Sequence, residues 1–530
     1  MSRIVFIGSA IGRQALHGIA STRRLEATAL AAVPSYTLMA RAGDAVASLA
    51  LAVTPHAREV IVFAGPGNNG GDGIEAAARL TELGKRATVV LVADPTRLPV
   101  DAARALARAN AAGVRVVSWA EHAASATAGH FDGAAGPDLV IDALLGFAAA
   151  AAPHGDIAAA VAGIDVLAAA GAQVLAIDVP TGLDAERGRR FGDSCVSADN
   201  TLSLLTLKPG LFTAEGRDRA GRVWLATLAD AATDADAGDP SQAEERDVDA
   251  WLVGIADETC ATIRRRQASH KGSFGDVAVV GGALGMTGAA WLAARAAQAA
   301  GAGRVFVDLL DCGAGSMATP DPRRPELMLR RDWWRGPVEN LSAATVVCGC
   351  GGGDAVRAAL PRLLASAPRL VLDADALNAV ASDSSLQTLL AVRSGRGQAT
   401  VLTPHPLEAA RLLGCDASAV QADRFVTAET LATRFRAVVV LKGSGTLIAA
   451  PGERPRVCVT GNASLASAGT GDVLAGWIGG RWSSSGSAAF DAATRAVIEH
   501  GAAADPMRDG AIRAADLVEV LYRRARRPLA

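Results

Sequence analysis

Glu59–Ala64 reads EVIVFA, and Gly65-Pro66-Gly67-Asn68-Asn69-Gly70-Gly71-Asp72-Gly73 follows it directly. An unbroken apolar run is the pattern of a strand buried on both faces of a parallel sheet. Five glycines in the next nine residues let the backbone take positive φ and approach a ligand closely. Asn68 and Asn69 add paired donors and acceptors. Beyond the loop, Ile74–Gly84 reads as a helix, so the loop amides lie where a helix dipole favours a phosphate. The dinucleotide fingerprint G-x-G-x-x-G does not fit, because Asn69 occupies the middle and Pro66 stiffens the turn. A plain strand–helix turn is the alternative; a stretch this particular reads as a ligand site.

The same strand–loop–helix unit recurs outward from this point. Arg86–Val92, Asp138–Asp142 and Gln173–Asp178 read as strands, with Val100–Ala112 a helix between. Farther on, Asp276–Val280, Arg304–Leu309, Ala344–Cys348, Arg369–Asp373 and Ala437–Leu441 take the strand role. Gly288–Gly301, Pro406–Leu413 and Val473–Gly480 read as helices there. Between the two blocks, residues 229–249 (ADAATDADAGDPSQAEERDVD) are acidic and hold no large apolar residue before Val248, the mark of a solvated linker. Strand–helix alternation on both sides argues for two doubly wound α/β domains, residues 1–228 and 250–530. In such sheets ligands bind at the carboxyl ends of strands.

Composition narrows the function. Of 530 residues, 50% are hydrophobic, so a full core can be buried. Lys+Arg number 52 against Asp+Glu 54, a net charge of −2, which gives no basic face for a nucleic acid. The apolar run Ala143–Ala152 is half the ~20 residues a membrane span needs. Arg13 interrupts the short apolar N-terminal stretch, a poor secretory signal, and seven cysteines do not make a disulfide framework. Cys348 and Cys350 read as packed thiols. A cytoplasmic protein is expected.

Asp142 and Asp178 each end a strand of the first block, and Thr181 adds a hydroxyl. Either aspartate could cap the following turn. With Asn69, the oxygens of Asp142 and Thr181 could also hold a hard, weakly bound monovalent cation, since no His or Cys is nearby.

In the second block His270-Lys271-Gly272-Ser273-Phe274-Gly275 precedes one strand, and Met286-Thr287-Gly288-Ala289 opens the helix after it. Ala468-Gly469-Thr470-Gly471-Asp472 opens another helix, so its amides form an anion hole. Asp472 beside that hole is placed to take a proton from a hydroxyl attacking a phosphoryl group; a helix N-cap is the plain alternative. Lys442-Gly443-Ser444-Gly445-Thr446 offers charge, amides and hydroxyls to a nucleotide phosphate. His405, between Pro404 and Pro406, is either structural or a ligand contact. Asp373 and Asp375 are turn residues, or they stiffen the site or meet magnesium.

The first block's GPGNNGGDG, IDALLG, DVPTGLDA and TLKPGLFTAEGRDRAG, with Thr22–Ala29 and Leu38–Gly43, resemble the epimerase domain of the NAD(P)H-hydrate repair enzymes, from about residue 20. The second block's HKGSFG, TGAA, DADALN, TPHPLE, KGSGT and AGTGD resemble the ribokinase-like, ADP- or ATP-dependent NAD(P)H-hydrate dehydratase domain. The resemblance implies two three-layer αβα domains, one Rossmann-like and one ribokinase-like. It implies epimerisation of the R and S hydrates of NADH and NADPH (NADHX and NADPHX) at C6, and nucleotide-dependent dehydration of the S form.

By the same resemblance Asn68, Asn69, Gly70, Gly71, Asp72, Gly146, Phe147, Ala148 and Asp178 bind the hydrate, with Asp178 the acid/base. Asn69, Asp142 and Thr181 hold potassium. Ala289, Gly353, His405 and Asp472 touch the hydrate in the second domain, with Asp472 catalytic. Lys442, Gly443, Ser444, Gly445, Thr446 and Gly471 touch ADP or ATP, taken with magnesium. A homo-oligomer is expected. Two departures stand out. After Asp142 a polar turn gives way to Gly146-Phe147 and five alanines. The family's Gly-Pro-Gly-Leu-Gly appears as Gly349-Cys350-Gly351-Gly352-Gly353, where a looser loop is expected. The competing reading is a ribokinase-like small-alcohol kinase with a non-catalytic N-terminal binding module.

Overall fold

The computed structural model of the chain describes residues 2–127, 136–230, 247–260, 266–310, 321, 323–508 and 510–526. Residues 231–246, most of the expected linker, lie outside the described residues. Two compact units form: Met1–Gly8 with Gln14–Ala250, and Ser9–Arg13 with Trp251–Ala530. The far end of the linker segment is tied down rather than solvated. The Asp249 carboxylate accepts hydrogen bonds from Gly18 N (2.8 Å) and Ser21 Oγ at the start of helix Ile19–Ala32.

The first unit is built on a sheet ordered Ser2–Phe6, Arg222–Asp230, Asn200–Leu204, Gln173–Ile177, Leu139–Ala143, Glu59–Ala64, Arg86–Leu91, Arg115–Ser118. All neighbours are parallel except Ser2–Phe6, which runs antiparallel to Arg222–Asp230. Apolar clusters lie on both faces. One holds Val46, Ile74 and Leu80 from the helices Thr37–Val53 and Asn68–Glu82; the other holds Val161, Ile164 and Leu167 from helix Gly155–Ala169. This is the expected three-layer αβα arrangement. Strand order reverses between Glu59–Ala64 and Leu139–Ala143, so the crevice for a ligand opens above the Asn68–Asp72 and Leu144–Ala148 segments.

The glycines of this stretch do not serve positive φ. The helix begins at Asn68, six residues before the expected Ile74, and Gly65, Gly67, Gly70, Gly71 and Gly73 are absent from the positive-φ positions. They serve close approach instead. A Cβ on Gly70 would stand 2.1 Å from Gly65 O, and one on Gly73 2.4 Å from Ala143 Cβ. The first helical turns therefore press directly on the sheet, which carries the Asn amides to the strand ends.

The sheet of the second unit runs Met328–Leu329, Arg304–Leu309, Asp276–Gly281, Ala344–Cys348, Arg369–Leu372, Ala399–Leu402, Val438–Leu441, Leu447–Ala449, Arg456–Cys458, Ala250–Val253. Only Leu447–Ala449 is antiparallel to its neighbours. The switch point lies between Asp276–Gly281 and Ala344–Cys348. Helix Thr470–Ser485 starts three residues before the expected Val473 and packs on helix Thr287–Ala299. Gly476 and Gly480 make that packing close, since a Cβ would sit 2.0 Å from Ala293 O and 2.3 Å from Ala297 O. Replacing Gly476 by Ala is expected to lower unfolding stability by about 1–3 kcal/mol, because the clash is with backbone. A denaturant midpoint equal to that of the unsubstituted chain would refute this packing account.

Candidate active sites

In the first unit a cavity of about 480 Å³ opens at the switch point. Asn68, Asn69, Asp72, Gly146, Phe147, Ala148 and Asp178 line it. Gly70 and Gly71 are buried behind them and carry packing rather than contact. Asp178 ends its strand with φ 68°, a left-handed conformation uncommon outside glycine. That turn aims both carboxylate oxygens. Oδ2 accepts from Phe147 N (3.1 Å), and Oδ1 accepts from Leu204 N (3.3 Å) and Lys208 Nζ. Lys208, 1% exposed, also donates to Leu204 O (2.8 Å) and Thr206 O (3.1 Å), and the Phe147 ring centroid lies 5.3 Å from its Nζ. So the substituted turn still supplies a backbone amide, and its aromatic ring covers the Lys208–Asp178 pair.

Lys208 was visible in the TLKPGLF stretch but without a role, because nothing local says that a lysine beside Pro209 turns inward. Glu26 was missed similarly; it lines the cavity from helix Ile19–Ala32. Burial first, then the Asp178 charge, pushes the Glu26 carboxyl up, against an opposing effect of Lys208. Asp72 is held well above the usual carboxylate range by burial, then by Asp178, Glu26 and Glu75. A carboxyl biased toward its protonated form near a lysine-paired carboxylate is the pattern of an acid and a base in one site.

Asp142 and Thr181 meet just below. Asp142 is fully buried; its oxygens accept from Thr181 N (2.8 Å), Thr181 Oγ1 (2.7 Å) and Leu144 N (3.2 Å). It has no ion-pair partner among the described residues, and burial pushes its carboxyl up to about 6 against those hydrogen bonds. Asn69 Nδ2 is buried without a hydrogen-bond partner, a cost of about 1–3 kcal/mol that a ligand would relieve.

In the second unit the functional stretches converge on the carboxyl ends of the sheet. Asp472 lies in the first turn of Thr470–Ser485, after Gly469 at φ 88°. Burial first, then the Asp373 charge, pushes Asp472 up to about 6, with Lys442 opposing. Lys442 Nζ donates to Asp373 Oδ1 (2.7 Å) and is 3.9 Å from Glu408 Oε2. Gly471 abuts it, as a Cβ there would stand 3.4 Å from Lys442 Nζ. Glu408 is itself pushed up to about 7 by burial.

His405 is primarily a helix cap. Its Nδ1 accepts from Leu407 N (3.1 Å) and Glu408 N (3.3 Å), while Nε2 faces Glu408 Oε1 at 3.2 Å. Its ring is half-exposed.

The Gly349–Gly353 turn is not loose. Gly349 N donates to Val280 O (3.0 Å), Gly282 N to Cys350 O (2.9 Å) and Gly353 N to Asp375 Oδ2 (2.8 Å). Gly351 at φ 58° presses on Ala289, where a Cβ would lie 2.9 Å from the alanine Cβ. A Cβ on Gly353 would lie 3.3 Å from Met286 Cε, so both glycines face the start of helix Thr287–Ala299. Cys350 is more than a packed thiol: its sulfur and the carboxylates of Asp373 and Asp472 lie within 4.8 Å of one another. The HKGSFG stretch, by contrast, precedes strand Asp276–Gly281 and packs at its amino end, where Ser483 Oγ donates to Phe274 O (3.2 Å).

Arg424 was also missed. It is 1% exposed and its Nη2 donates to the carbonyls of Leu441 (3.2 Å), Lys442 (3.3 Å) and Gly445 (3.4 Å), shaping the Lys442–Thr446 loop from behind. Gly443 (φ 132°) and Gly445 (φ 65°) complete the turn. Arg424→Ala is expected to cost about 1–3 kcal/mol in stability and to weaken nucleotide binding at least tenfold. Calorimetry with ADP checks it; unchanged affinity in a folded variant would contradict the loop account.

Amide-lined strand ends and acidic side chains in both units define a two-domain α/β enzyme. Residues 277–523 match the family described as NAD(P)H-hydrate dehydratase, and residues 35–210 match the YjeF-related protein N-terminus. The bifunctional NAD(P)H-hydrate repair enzyme Nnr of Escherichia coli is 34% identical over 91% of this chain and 87% of its own length. The ADP-dependent (S)-NAD(P)H-hydrate dehydratase of Neisseria meningitidis is 42% identical over 48% of this chain and 84% of its own. A solved ADP/ATP-dependent NAD(P)H-hydrate dehydratase from Bacillus subtilis, co-crystallized with ATP/Mg2+, is 30% identical over 50% of this chain and 94% of that one, with a TM-score of 0.42. The chain belongs to the bifunctional NAD(P)H-hydrate repair enzyme family.

Proposed function

We propose that this chain repairs hydrated NADH and NADPH, interconverting the R and S hydrates in the first unit and dehydrating the S form with an adenine nucleotide in the second. Family membership across both units supports it, and the small-alcohol kinase reading leaves the first cavity unexplained. The observation that carries the proposal is that each switch point sets amides beside an aimed carboxylate: Asp178 with Phe147 N, and Asp472 at the start of Thr470–Ser485.

In the second unit Asp472 takes the proton of the C6 hydroxyl as that oxygen attacks the terminal phosphoryl group of the nucleotide. The amides around Gly471 and the Lys442 ammonium carry the charge of the transferring group. Phosphate then leaves where hydroxide would not, aided by the electron pair of the adjacent ring nitrogen, and loss of a C5 proton restores the ring. In the first unit Asp178, held by Lys208, takes the hydroxyl proton from a carbon that also bears nitrogen. Such a carbon opens to the aldehyde and recloses on either face, with Asp72 supplying a proton.

The buried, uncompensated Asp142 with the Thr181 hydroxyl and the Asn69 amide fits a monovalent cation, here potassium. That ion would balance the buried charge and fix Asn69. Magnesium is taken with the nucleotide, since Asp373 is held by Lys442 and Asp375 by Gly353 N. No helix among the described residues is long and apolar enough to cross a membrane; a cytoplasmic homo-oligomer is part of the proposal. The test is to incubate the protein with mixed hydrate epimers, ADP and magnesium and follow reduced-cofactor absorbance. Full recovery is expected; recovery of the S fraction alone would defeat the epimerase reading.

A further inference from the structure

Among the groups around Asp472, Cys350 is the one that neither the proposed chemistry nor the resemblance assigns. It stands where the resemblance expects proline, which has no side-chain donor. Its loop is tied at four points by backbone bonds: Gly349 N to Val280 O, Gly282 N to Cys350 O, Ala283 N to Gly351 O (2.7 Å) and Gly352 N to Gly349 O (3.0 Å). A thiol on so fixed a turn has a defined direction. Its sulfur lies within 4.8 Å of the Asp373 and Asp472 carboxylates. The side chain is fully buried, so it is not presented to reagents in solution.

We propose that Cys350 is a positioning residue: its S–H donates to the Asp472 carboxylate and holds it toward the amides that open helix Thr470–Ser485. The proposal rests on the reading of Asp472 as the base. A thiol serves as a donor only while protonated, and burial followed by the Asp472 and Asp373 charges pushes this one well above the ordinary thiol range. A hydrogen bond to the ionised form stabilises that form. It acts against burial and against Asp373 and Asp375, in the same direction as Lys442. Glu408 and His405 bear on Lys442, and His500 contacts Thr470 O at 3.0 Å from the neighbouring helix Ala489–Ala504. Those groups are unchanged in the variants below, so a displaced titration reports the thiol.

The experiment compares kcat for dehydration of the S hydrate from pH 5 to 8 in the full chain carrying Cys350→Ala, Cys350→Val, Cys350→Ser or Asp472→Asn, with ADP and magnesium. Removing the donor raises the pH at which Asp472 ionises. In Cys350→Ala and Cys350→Val the acid limb is therefore expected to move up by about half a pH unit or more, with kcat near pH 6 down severalfold and KM for ADP within twofold. Cys350→Ser keeps a donor and returns the limb toward the unsubstituted position. Valine preserves bulk, so one donor-free variant remains readable should alanine unfold. An acid limb in the folded donor-free variant that superposes on the unsubstituted one overturns the proposal. If Asp472→Asn retains full turnover, the reading of Asp472 falls and this proposal with it. If Asp472→Asn is inactive while the donor-free variants titrate normally, only the role of Cys350 falls.

Discussion

Asp472→Asn is expected to reduce dehydration of the S hydrate about 10²- to 10⁴-fold, the range for loss of a positioned general base. KM for ADP should move little, because the Lys442–Thr446 loop is untouched. The same carboxyl sets the pH dependence. Raised to about 6 by burial and Asp373, it is a base only when ionised, so the rate should fall about tenfold per pH unit well below 6 and level off above it. Stability runs the opposite way. A carboxyl whose folded value is raised disfavours the folded state at pH values where it is charged, and that penalty disappears on acidification. The neutral asparagine should therefore melt at or above the temperature of the unsubstituted chain at pH 7. An inactive variant that melts higher identifies lost chemistry; one that melts much lower would point to a structural role as helix cap.

The second large effect is expected at Asp178. Asp178→Ala should collapse exchange between R and S hydrates to background, while dehydration of pure S hydrate continues. It also strands a buried Lys208, which costs about 3–5 kcal/mol when a buried pair is broken. Asp178→Asn keeps one acceptor oxygen, which can still face Lys208 Nζ at the cost of the bond from Phe147 N, so it separates the two effects: exchange down about 100-fold or more with a smaller loss of stability than in Asp178→Ala. Epimer exchange followed by chromatography in both variants is the measurement. Exchange at the unsubstituted rate would make the first unit a binding module.

Much of this was open to reading along the chain. Apolar runs such as Glu59–Ala64, Arg304–Leu309 and Ala344–Cys348 coincide with strands, because a strand buried on both faces has no polar side to dilute the signal. The strand Leu447–Ala449 and the edge strand Ser2–Phe6 went unread, since short or edge strands are set by their partners more than by their own pattern. The glycine stretches were located correctly but partly misattributed: GPGNNGGDG uses glycine for contact with Leu144, Met39 and Ala143, not for positive φ. A contact of that kind involves residues far away in the chain, so no local pattern carries it.

Alternation of apolar strands and helices, and the residue types at the strand ends, are properties of the chain alone. Two α/β units and two sites followed from them, because hydrophobic period and turn chemistry are local. What those side chains do to one another was decided by tertiary structure. Only the sheet order brings Lys208 onto Asp178, Arg424 under Lys442 and Cys350 against Asp472. Burial there supplies the low-dielectric surroundings in which a single charge or hydrogen bond shifts a carboxyl far enough to make it an acid or a base.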